Sequence, residues 1–379
     1  MQLGVEKMDL GKVWENYWDI LVGGGALLLG IVAHLSGISL LSTILSAVAI
    51  GTLAVTVSEV AEILSEHFKE PYGSLILTFS AVAVEIIILF MILLEAREHP
   101  QVVNSVRNGI ISTVLVDLNV LLGLAVLIGG LNYSEQEHNE DTSESYTTIL
   151  FVASAMLLVP TTLSITSSMD ASLKATLIIG GLLLFYYLVI FRFQTKTHIH
   201  FFRFTKKGRS RRPRPQPEEE QKDYIFDRLP PWVNGVVLVG LLGAISIASE
   251  IFSNDGVPIF KEIGMSEGLL GLFIAFITVA PELFTAIRAA KNDEMQRVVN
   301  IAMGASTVSI MLTVPAIILL SLIVGIEFPL VFNPLQVGAL LLTVILVWKT
   351  TEDGETNYLE GVSHLILFLS YAVVATYSG

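Results

Sequence analysis

Long apolar runs recur along almost the whole chain, and they constrain the fold more than any other feature. A run of about 18 or more apolar residues, at about 1.5 Å rise per residue, is long enough to cross the roughly 30 Å hydrocarbon core of a bilayer as a helix. Hydrophobic residues make up 53% of the chain and charged residues only 15%, which is too apolar for an ordinary water-soluble domain. The sequence therefore predicts an all-α integral membrane protein.

Eleven such runs predict eleven transmembrane helices. The predicted spans lie at about residues 17–36, 40–64, 73–94, 107–131, 147–168, 172–192, 231–253, 267–290, 297–324, 333–349 and 357–377. The first run is not expected to be a cleaved signal peptide, because its flank is acidic and no small-residue cleavage site follows it.

Basic residues are distributed unevenly between the two sides of this arrangement. If the N-terminus is cytoplasmic, 18 of the 22 Lys and Arg residues fall on the cytoplasmic side, and eleven of them lie within residues 192–230. This asymmetry predicts a cytoplasmic N-terminus and an external C-terminus. Residues 193–230 are predicted to form a charged cytoplasmic linker. Within them, the composition of residues 202–223 is typical of a solvated, disordered segment, with contact to anionic lipid or a regulatory role as the alternative. The acidic loop at residues 132–145 is expected on the face opposite the linker.

Several function classes are disfavoured by composition and motif. The net charge of −13 argues against a nucleic-acid partner, because phosphate binding needs a basic surface. The chain has no cysteine, no H-E-x-x-H motif, and only Asp117 as an aspartate well inside a predicted span. Neither a zinc protease nor an intramembrane aspartyl protease is therefore expected. We predict that the protein is not an enzyme and has no cofactor.

The two halves of the chain share a pattern that indicates an internal duplication. "SLILTFSAVAVE" ends at Glu85 and "GLFIAFITVAPE" ends at Glu282, and the two segments share four further identical residues. "QVVN" and "RVVN" follow the two glutamates at similar distances, and a Ser-Glu pair precedes each of them.

This pattern predicts four parts: residues 1–39 with helix 1, a first five-helix repeat at 40–192, the linker at 193–230, and a second five-helix repeat at 231–379. Because each repeat contains an odd number of spans, the second copy is inserted in the opposite orientation.

The two glutamates are the strongest candidates for a functional site. An ionisable residue at the centre of a span costs about 2.5–3.5 kcal/mol on insertion scales and is usually functional. Glu85 and Glu282 are predicted near the membrane midplane on helices related by the repeat, so both carboxylates would face one site. Protons and a cation would then compete for the same oxygens, as an exchanger requires.

Other polar residues are candidates for the same site. Asp117 and the hydroxyl-bearing Thr78, Thr278 and Ser306 are predicted to lie near the glutamates, with interhelical or backbone hydrogen bonding as the alternative for the hydroxyls. The acids at helix ends are interpreted as a possible proton or cation relay or as ordinary interfacial acids; they are Glu59, Glu62 and Glu250. Two histidines inside spans, His34 and His364, are interpreted as packing residues.

Four segments resemble the calcium/proton antiporter family within the calcium/cation antiporter superfamily. They are "EPYGSLILTFSAVAVE", "FRFQTKTH", "APE" and "EDGETNYLEG", in that order along the chain. The resemblance is greatest to the bacterial branch that includes sodium-potassium/proton and calcium/proton antiporters, which implies a prokaryotic plasma membrane. It also implies an eleven-helix transporter that exchanges Ca²⁺ for H⁺, with Glu85 and Glu282 as the ion-binding acids.

The sequence departs from this family in ways that leave alternatives open. Many members carry Gly-Asn ahead of the Ala-x-Glu sequence, and neither half of this chain does. Transport of Na⁺ or K⁺ therefore stays open beside Ca²⁺, and a passive cation channel is a further alternative. Local structure explains the "DGETN" segment at 353–357 without any ion chemistry: Asp353-Gly354 suits a turn, and Thr356 or Asn357 can cap the last helix.

Overall fold

The computed structural model describes residues 10–69, 72–202 and 225–377, which form eleven long helices. The helices are α1 (Leu10–Leu35), α2 (Ser39–Glu66), α3 (Tyr72–Leu94), α4 (Val102–Tyr133), α5 (Glu140–Thr166), α6 (Met169–Thr197), α7 (Pro231–Glu262), α8 (Glu267–Lys291), α9 (Met295–Val324), α10 (Pro334–Thr351) and α11 (Tyr358–Tyr377). Within this part of the chain, ten helices are long and apolar enough to span a bilayer, and α11 contains a shorter apolar stretch. The predicted all-α membrane fold of eleven helices is confirmed.

The connections alternate between two faces. The face that bears the linker also holds the α4–α5, α8–α9 and α10–α11 connections, which hydrogen-bond to one another. The opposite face holds the α1–α2 and α7–α8 connections, where His34 and Ser42 contact Asp255. It also holds the α9–α10 connection, where Arg107 donates to the carbonyl of Pro329.

The predicted position of the acidic loop was wrong. Asn139 in this loop donates to the carbonyl of Phe201, 2.9 Å away at the start of the linker, so the loop lies on the linker face. The reason is topological: α4 completes an even number of crossings from the N-terminus. Half of the loop is also helical, since α5 begins at Glu140 with Asn139 as its N-cap. Glu140 and Asp141 then stabilise the positive end of the helix dipole.

The "DGETN" segment has the local role that its turn and capping residues predicted. Gly354 adopts φ +75°, and Asn357 caps α11 by accepting from the amide of Leu359. Between them, strand β2 (Glu355–Asn357) pairs antiparallel with β1 (Glu135–Glu137). These two short strands are the only departure from an all-α fold among the described residues, and they join the α4–α5 connection to the α10–α11 connection.

Four π-helical turns widen the helices in the described part of the chain. They are Val116–Leu121 in α4, Phe193–Thr197 at the end of α6, Phe252–Gly256 in α7 and Ser309–Thr313 in α9. When the two halves are aligned on "QVVN" and "RVVN", the turns in α4 and α9 overlap only partly, with Asp117 aligned with Thr313. A π turn inserts one extra residue, which redirects side chains and frequently marks a functional site.

Helix α4 forms the centre of the molecule. In its most apolar stretch 89% of the residues are buried, the highest share among the candidate spans in the described residues. It packs against α8 and α11, while α1 packs along α2 and α2 crosses α7. The limits of the two repeats stay a prediction. Part of the predicted linker is folded, since residues 193–197 extend α6 and 225–228 form a 3₁₀ turn. The stretch predicted to be disordered, 202–223, lies almost entirely outside the described residues.

Candidate ion-binding site

Glu85 and Glu282, which the sequence predicted to share one site, both line a single cavity of about 640 Å³. Glu85 enters it from the middle of α3 and Glu282 from the middle of α8, where Pro281 precedes it. Asp117 lines the same cavity from the π turn of α4. Three carboxylates from three helices therefore face one enclosed space within the membrane-spanning part of the fold.

Glu85 is held by hydroxyl groups from α9. Its Oε2 atom accepts hydrogen bonds from Ser309 Oγ at 2.9 Å and from Thr313 Oγ1 at 2.5 Å, and Thr113 also lies within hydrogen-bonding reach. Ser309 and Thr313 are the first and last residues of the π turn in α9. The other carboxylate oxygen of Glu85, Oε1, is buried and has no hydrogen-bond partner among the described residues.

Asp117 and Glu282 also have a buried oxygen with no partner in the described part of the chain, Asp117 Oδ1 and Glu282 Oε2. The other oxygen of Asp117, Oδ2, accepts from Ser306 Oγ at 3.3 Å. A buried carboxylate oxygen without a donor is costly unless a proton or a cation completes its interactions. Each of the three acids therefore offers an atom to which a proton or a cation can bind.

The hydroxyl candidates fall into two groups. Ser306 bonds directly to a carboxylate, and Thr78 lines the cavity beside Tyr187. Thr278 lines the cavity, but its hydroxyl donates to the carbonyl of Ala275 in its own helix, at 3.0 Å. Its hydroxyl hydrogen is thus occupied locally, while its oxygen can still accept or coordinate.

The cavity opens toward the linker face. Its outer lining includes Gln194 and Thr195 at the end of α6, together with the half-exposed Arg297 and Asn300 at the start of α9. On the opposite face a separate cavity of about 250 Å³ lies between Asn108, Arg107 and Gln336. There Gln336 hydrogen-bonds Asn108, and Arg107 bonds Asn104 and the carbonyl of Pro329. The two cavities share no lining residue.

A short segment after α6, residues 198–202, forms part of the mouth of the large cavity; we call it the strap. Ile199 and Phe202 line the cavity. The carbonyl of Phe202 accepts from Asn300 at 3.1 Å, and its ring meets Tyr146 edge to face at 5.3 Å. The strap was not found from the sequence, because its polar and aromatic composition continues into the charged linker without a boundary.

The proposed relay acids lie outside the carboxylate cluster. Glu62 is exposed at the linker-face end of α2, with Oε1 3.7 Å from Arg297, and Glu59 is half-buried one turn earlier. Glu250 is exposed on α7 and lines neither cavity. Glu59 and Glu62 thus stand near the open mouth.

The acids in the described part of the chain do not by themselves form a metal-binding cluster. No three His, Cys, Asp or Glu side chains in the described ranges come together closely enough to hold a metal ion. Hydroxyls, backbone carbonyls and water would have to supply the remaining ligands, as hard cations such as Ca²⁺ accept. Buried acids that face one cavity inside a bundle of membrane-spanning helices are typical of membrane transporters.

The chain belongs to the family described as sodium/calcium exchanger protein, whose profile matches residues 35–196 and 233–377. A match in each half is what an internal duplication requires. The family assigns the protein to transporters rather than enzymes.

Several relatives match most of the chain. The "Sodium-potassium/proton antiporter ChaA" of Escherichia coli strain K12 is 24% identical over 86% of this chain and 87% of its own length. The "Ca(2+)/H(+) antiporter" of Synechocystis sp. is 25% identical, over 88% of this chain and 89% of its own length.

Solved structures show the same fold. The structure titled "Structure of native YfkE" superposes with a TM-score of 0.77 at 21% identity, covering 95% of this chain and 99% of the other. The structure titled "Crystal Structure of H+/Ca2+ Exchanger CAX" gives a TM-score of 0.69 at 16% identity, covering 96% and 90%.

Proposed function

We propose that the chain is a secondary active antiporter that exchanges Ca²⁺ for H⁺ by alternating access. The observation that carries this proposal is the shared cavity of Glu85 and Glu282, in which each carboxylate keeps one buried oxygen without a partner in the described ranges. Exchange at such a site needs no second binding place, because protons and the cation use the same atoms.

The chemistry follows from charge. Two bare carboxylates in a low-dielectric cavity repel each other and lose their hydration, so the empty site is stable only when protons neutralise it. A divalent cation neutralises the pair equally well and displaces the protons. Binding of either protons or the cation stabilises the site, whereas the empty, charged site is unstable. The protein therefore rarely changes between its inward-open and outward-open states with an empty site, and this couples the proton flux to the cation flux.

The surrounding groups have distinct roles in this proposal. Ser309 and Thr313 fix Glu85 Oε2, so that Oε1 points to the ligand. Asp117 is a third acid that Ser306 orients. Thr78 and Thr278 supply neutral oxygens on the cavity wall, and Glu59 and Glu62 attract cations to the mouth. Glu250 would serve the opposite mouth in the outward-open state.

The second candidate is Na⁺(K⁺)/H⁺ exchange at the same site. One observation favours it: the described residues contain no cluster of three acidic or His ligands, whereas Ca²⁺ prefers six to eight oxygens. The relatives include one named as a sodium-potassium/proton antiporter and one named as a Ca²⁺/H⁺ antiporter. The three carboxylates that line one cavity favour the divalent ion. We place the protein in a prokaryotic plasma membrane, with the basic linker in the cytoplasm.

Everted membrane vesicles test the proposal. With an imposed proton gradient, acidic inside, the wild-type protein is expected to accumulate Ca²⁺ against its concentration gradient. Na⁺ and K⁺, supplied one at a time, decide between the two candidates. Uptake that only follows the cation gradient would identify a channel instead. Glu85→Gln and Glu282→Gln are each expected to abolish uptake, and near wild-type transport by either variant would overturn the paired-carboxylate site.

A further inference from the structure

A second buried polar cluster lies on the other side of α4 from the cavity and is not part of the ion site. His364 of α11 bonds Asn119 Oδ1 through Nδ1 at 3.0 Å and Thr350 Oγ1 through Nε2 at 3.1 Å. Asn119 Nδ2 donates to Thr343 Oγ1 at 2.8 Å. All four side chains are at most 1% exposed. We call these four residues the α4–α11 network.

The network forms one directed chain of hydrogen bonds. Because Asn119 Nδ2 donates to Thr343, Asn119 Oδ1 accepts from Nδ1–H of His364; in that tautomer Nε2 accepts from the hydroxyl of Thr350. Every ring and amide atom in this chain has a partner. A fully satisfied polar network at membrane depth fixes one arrangement of its helices, since any other arrangement leaves a buried polar group unpaired.

The network is attached to the π turn that carries Asp117. Asn119 lies two residues after Asp117 within the turn Val116–Leu121, and the two side chains face opposite sides of α4. A π turn is less stable than a regular α-helical turn, so other interactions must stabilise the turn with its extra residue.

Proline follows two of the other π turns but not this one. The turns in α7 and α9 are each followed directly by Val-Pro, at Pro258 and Pro315. Proline has no amide hydrogen and its ring crowds the carbonyl four residues earlier, which favours a widened turn. Proline alone is not sufficient, since Pro160 and Pro281 lie in helices without such a turn. Helix α4 has no proline between Val102 and Tyr133.

Close helix packing keeps the network rigid. A Cβ atom at Gly123 would lie 2.8 Å from His364 Cβ, and one at Gly361 would lie 2.4 Å from the backbone nitrogen of Leu127. The backbones of α4 and α11 are therefore in direct contact, and His364 has no room to change its position without moving α4.

We propose that Asn119 and His364 are positioning residues, which hold the π turn of α4 in the register that directs Asp117 into the ion cavity. The inference deepens the proposed function and rests on it. It also gives α11, which contributes no residue to the cavity lining, a role in setting the affinity of the site.

Transport kinetics in everted vesicles test the proposal. His364→Ala is expected to raise the KM for the transported cation about tenfold, the size typical of losing a group that orients a metal ligand, with a much smaller change in maximal rate. His364→Gln, which can still bond Asn119, should recover most of the affinity. An unchanged KM in His364→Ala and in Asn119→Leu would overturn the proposal.

Neighbouring threonines provide a matched pair that avoids large packing changes. Thr350→Val removes the hydroxyl that donates to His364 and should raise the KM. Thr351→Val is equally buried, but its hydroxyl bonds only the carbonyl of Val347 in its own helix, at 2.9 Å, so the KM should not change. Equal effects of the two variants would show that the network acts only on general stability.

A double-mutant cycle identifies the route of the effect. If His364 acts through Asp117, adding His364→Ala to Asp117→Asn should raise the KM little further. Adding it to Ser309→Ala, which acts on Glu85, should raise the KM by the full factor seen for His364→Ala alone. The full factor in both double variants would overturn the proposal. Failure of the proposed function is distinguishable, because the wild-type protein would then neither accumulate Ca²⁺, Na⁺ or K⁺ nor gain thermal stability from any of them.

Discussion

At the scale of single residues, the site depends on hydroxyl groups that satisfy one side of a carboxylate and leave the other side open. Ser309 and Thr313 donate to the same oxygen of Glu85, and Ser306 donates to one oxygen of Asp117. A buried carboxylate stabilised by such donors can lose its proton without full hydration. The open oxygen then remains available to the cation.

Replacement of these donors should weaken cation binding without destroying the site. Thr313→Val removes a hydrogen bond to a charged group, worth about 1.5–3 kcal/mol, and should raise the KM at least about tenfold. Ser321→Ala is the matched control, because this buried serine of α9 donates only to the carbonyl of Ile318. Cation uptake measured over a range of concentrations checks the prediction, and equal KM values for the two variants would contradict it.

His138, in the connection between α4 and α5, should make stability depend on pH. Burial lowers its pKa from 6.5 to about 4, against the opposing effects of the Thr351 carbonyl and Asp353. Its Nδ1 has no acceptor among the described residues. The imidazole of His138 therefore binds a proton more readily in the unfolded protein than in the folded one. The free energy of unfolding decreases as the pH falls from about 6.5 to 4, by up to about 3 kcal/mol.

Thermal melting in detergent across this pH range measures the effect. His138→Gln should flatten the decrease in melting temperature between pH 6.5 and 4, relative to the wild type. His67→Gln, at an exposed position, serves as the control. The same slope in His138→Gln as in the wild type would exclude a contribution from this histidine.

At the scale of elements, irregular segments carry the functional groups. The π turns of α4 and α9 present Asp117, Ser309 and Thr313, and the strap continues α6 across the mouth of the cavity. The strap hydrogen-bonds α9 through Asn300, and the carbonyl of Phe201 binds Asn139 and Thr142 at the start of α5. The strap therefore joins α5, α6 and α9 at the mouth of the cavity.

A covalent link across the strap should stop transport. The chain contains no cysteine, so Phe202→Cys and Asn300→Cys can be bridged selectively by a short bifunctional thiosulfonate. Because the link fixes α6 to α9, the mouth can no longer change its width, and uptake should fall to background and recover on reduction. Each single-cysteine variant, treated with the same reagent, is the control. Full transport by the bridged protein would show that the strap does not move.

At the scale of the whole molecule, the two faces of the described part of the chain differ. The carboxylate cavity reaches the linker face, whereas on the opposite face Arg107 and Gln336 hydrogen-bond neighbouring segments. If the two halves are the inverted repeats that the sequence predicts, a second arrangement exists in which the roles of the two faces are exchanged. In that arrangement the Arg107 contacts would be broken.

Cysteine labelling tests this asymmetry. Ala305→Cys, which lines the cavity, should react with a membrane-impermeant maleimide in everted vesicles and much more slowly in intact cells. Lys174→Cys, at a side chain 72% exposed on the opposite face, should show the reverse preference. Equal labelling of Ala305→Cys from both sides would mean that the outward-open state is populated as much as the inward-open one.

The pairing of Glu85 and Glu282 could be predicted because a midspan acid is rare and repeated motifs place both on equivalent helices. Asp117 was found for the same reason. The α4–α11 network could not be predicted, since Asn119 and His364 are separated by 245 positions and each alone resembles a packing residue. The acidic loop was assigned to the wrong face although the count of helices already placed it beside the linker.

Hydropathy predicted the number of helices, and the repeated motifs together with the cost of burying charge predicted that Glu85 and Glu282 face one cavity; all of these are local or periodic properties of the chain. The inverted order of the two repeats stays a prediction. Tertiary packing alone decided which carboxylate oxygens are left open, where the π turns form, and which face the cavity opens to. These features depend on contacts between residues far apart in sequence, and several membrane-embedded arrangements bury the same apolar surface, so hydrophobicity does not distinguish them.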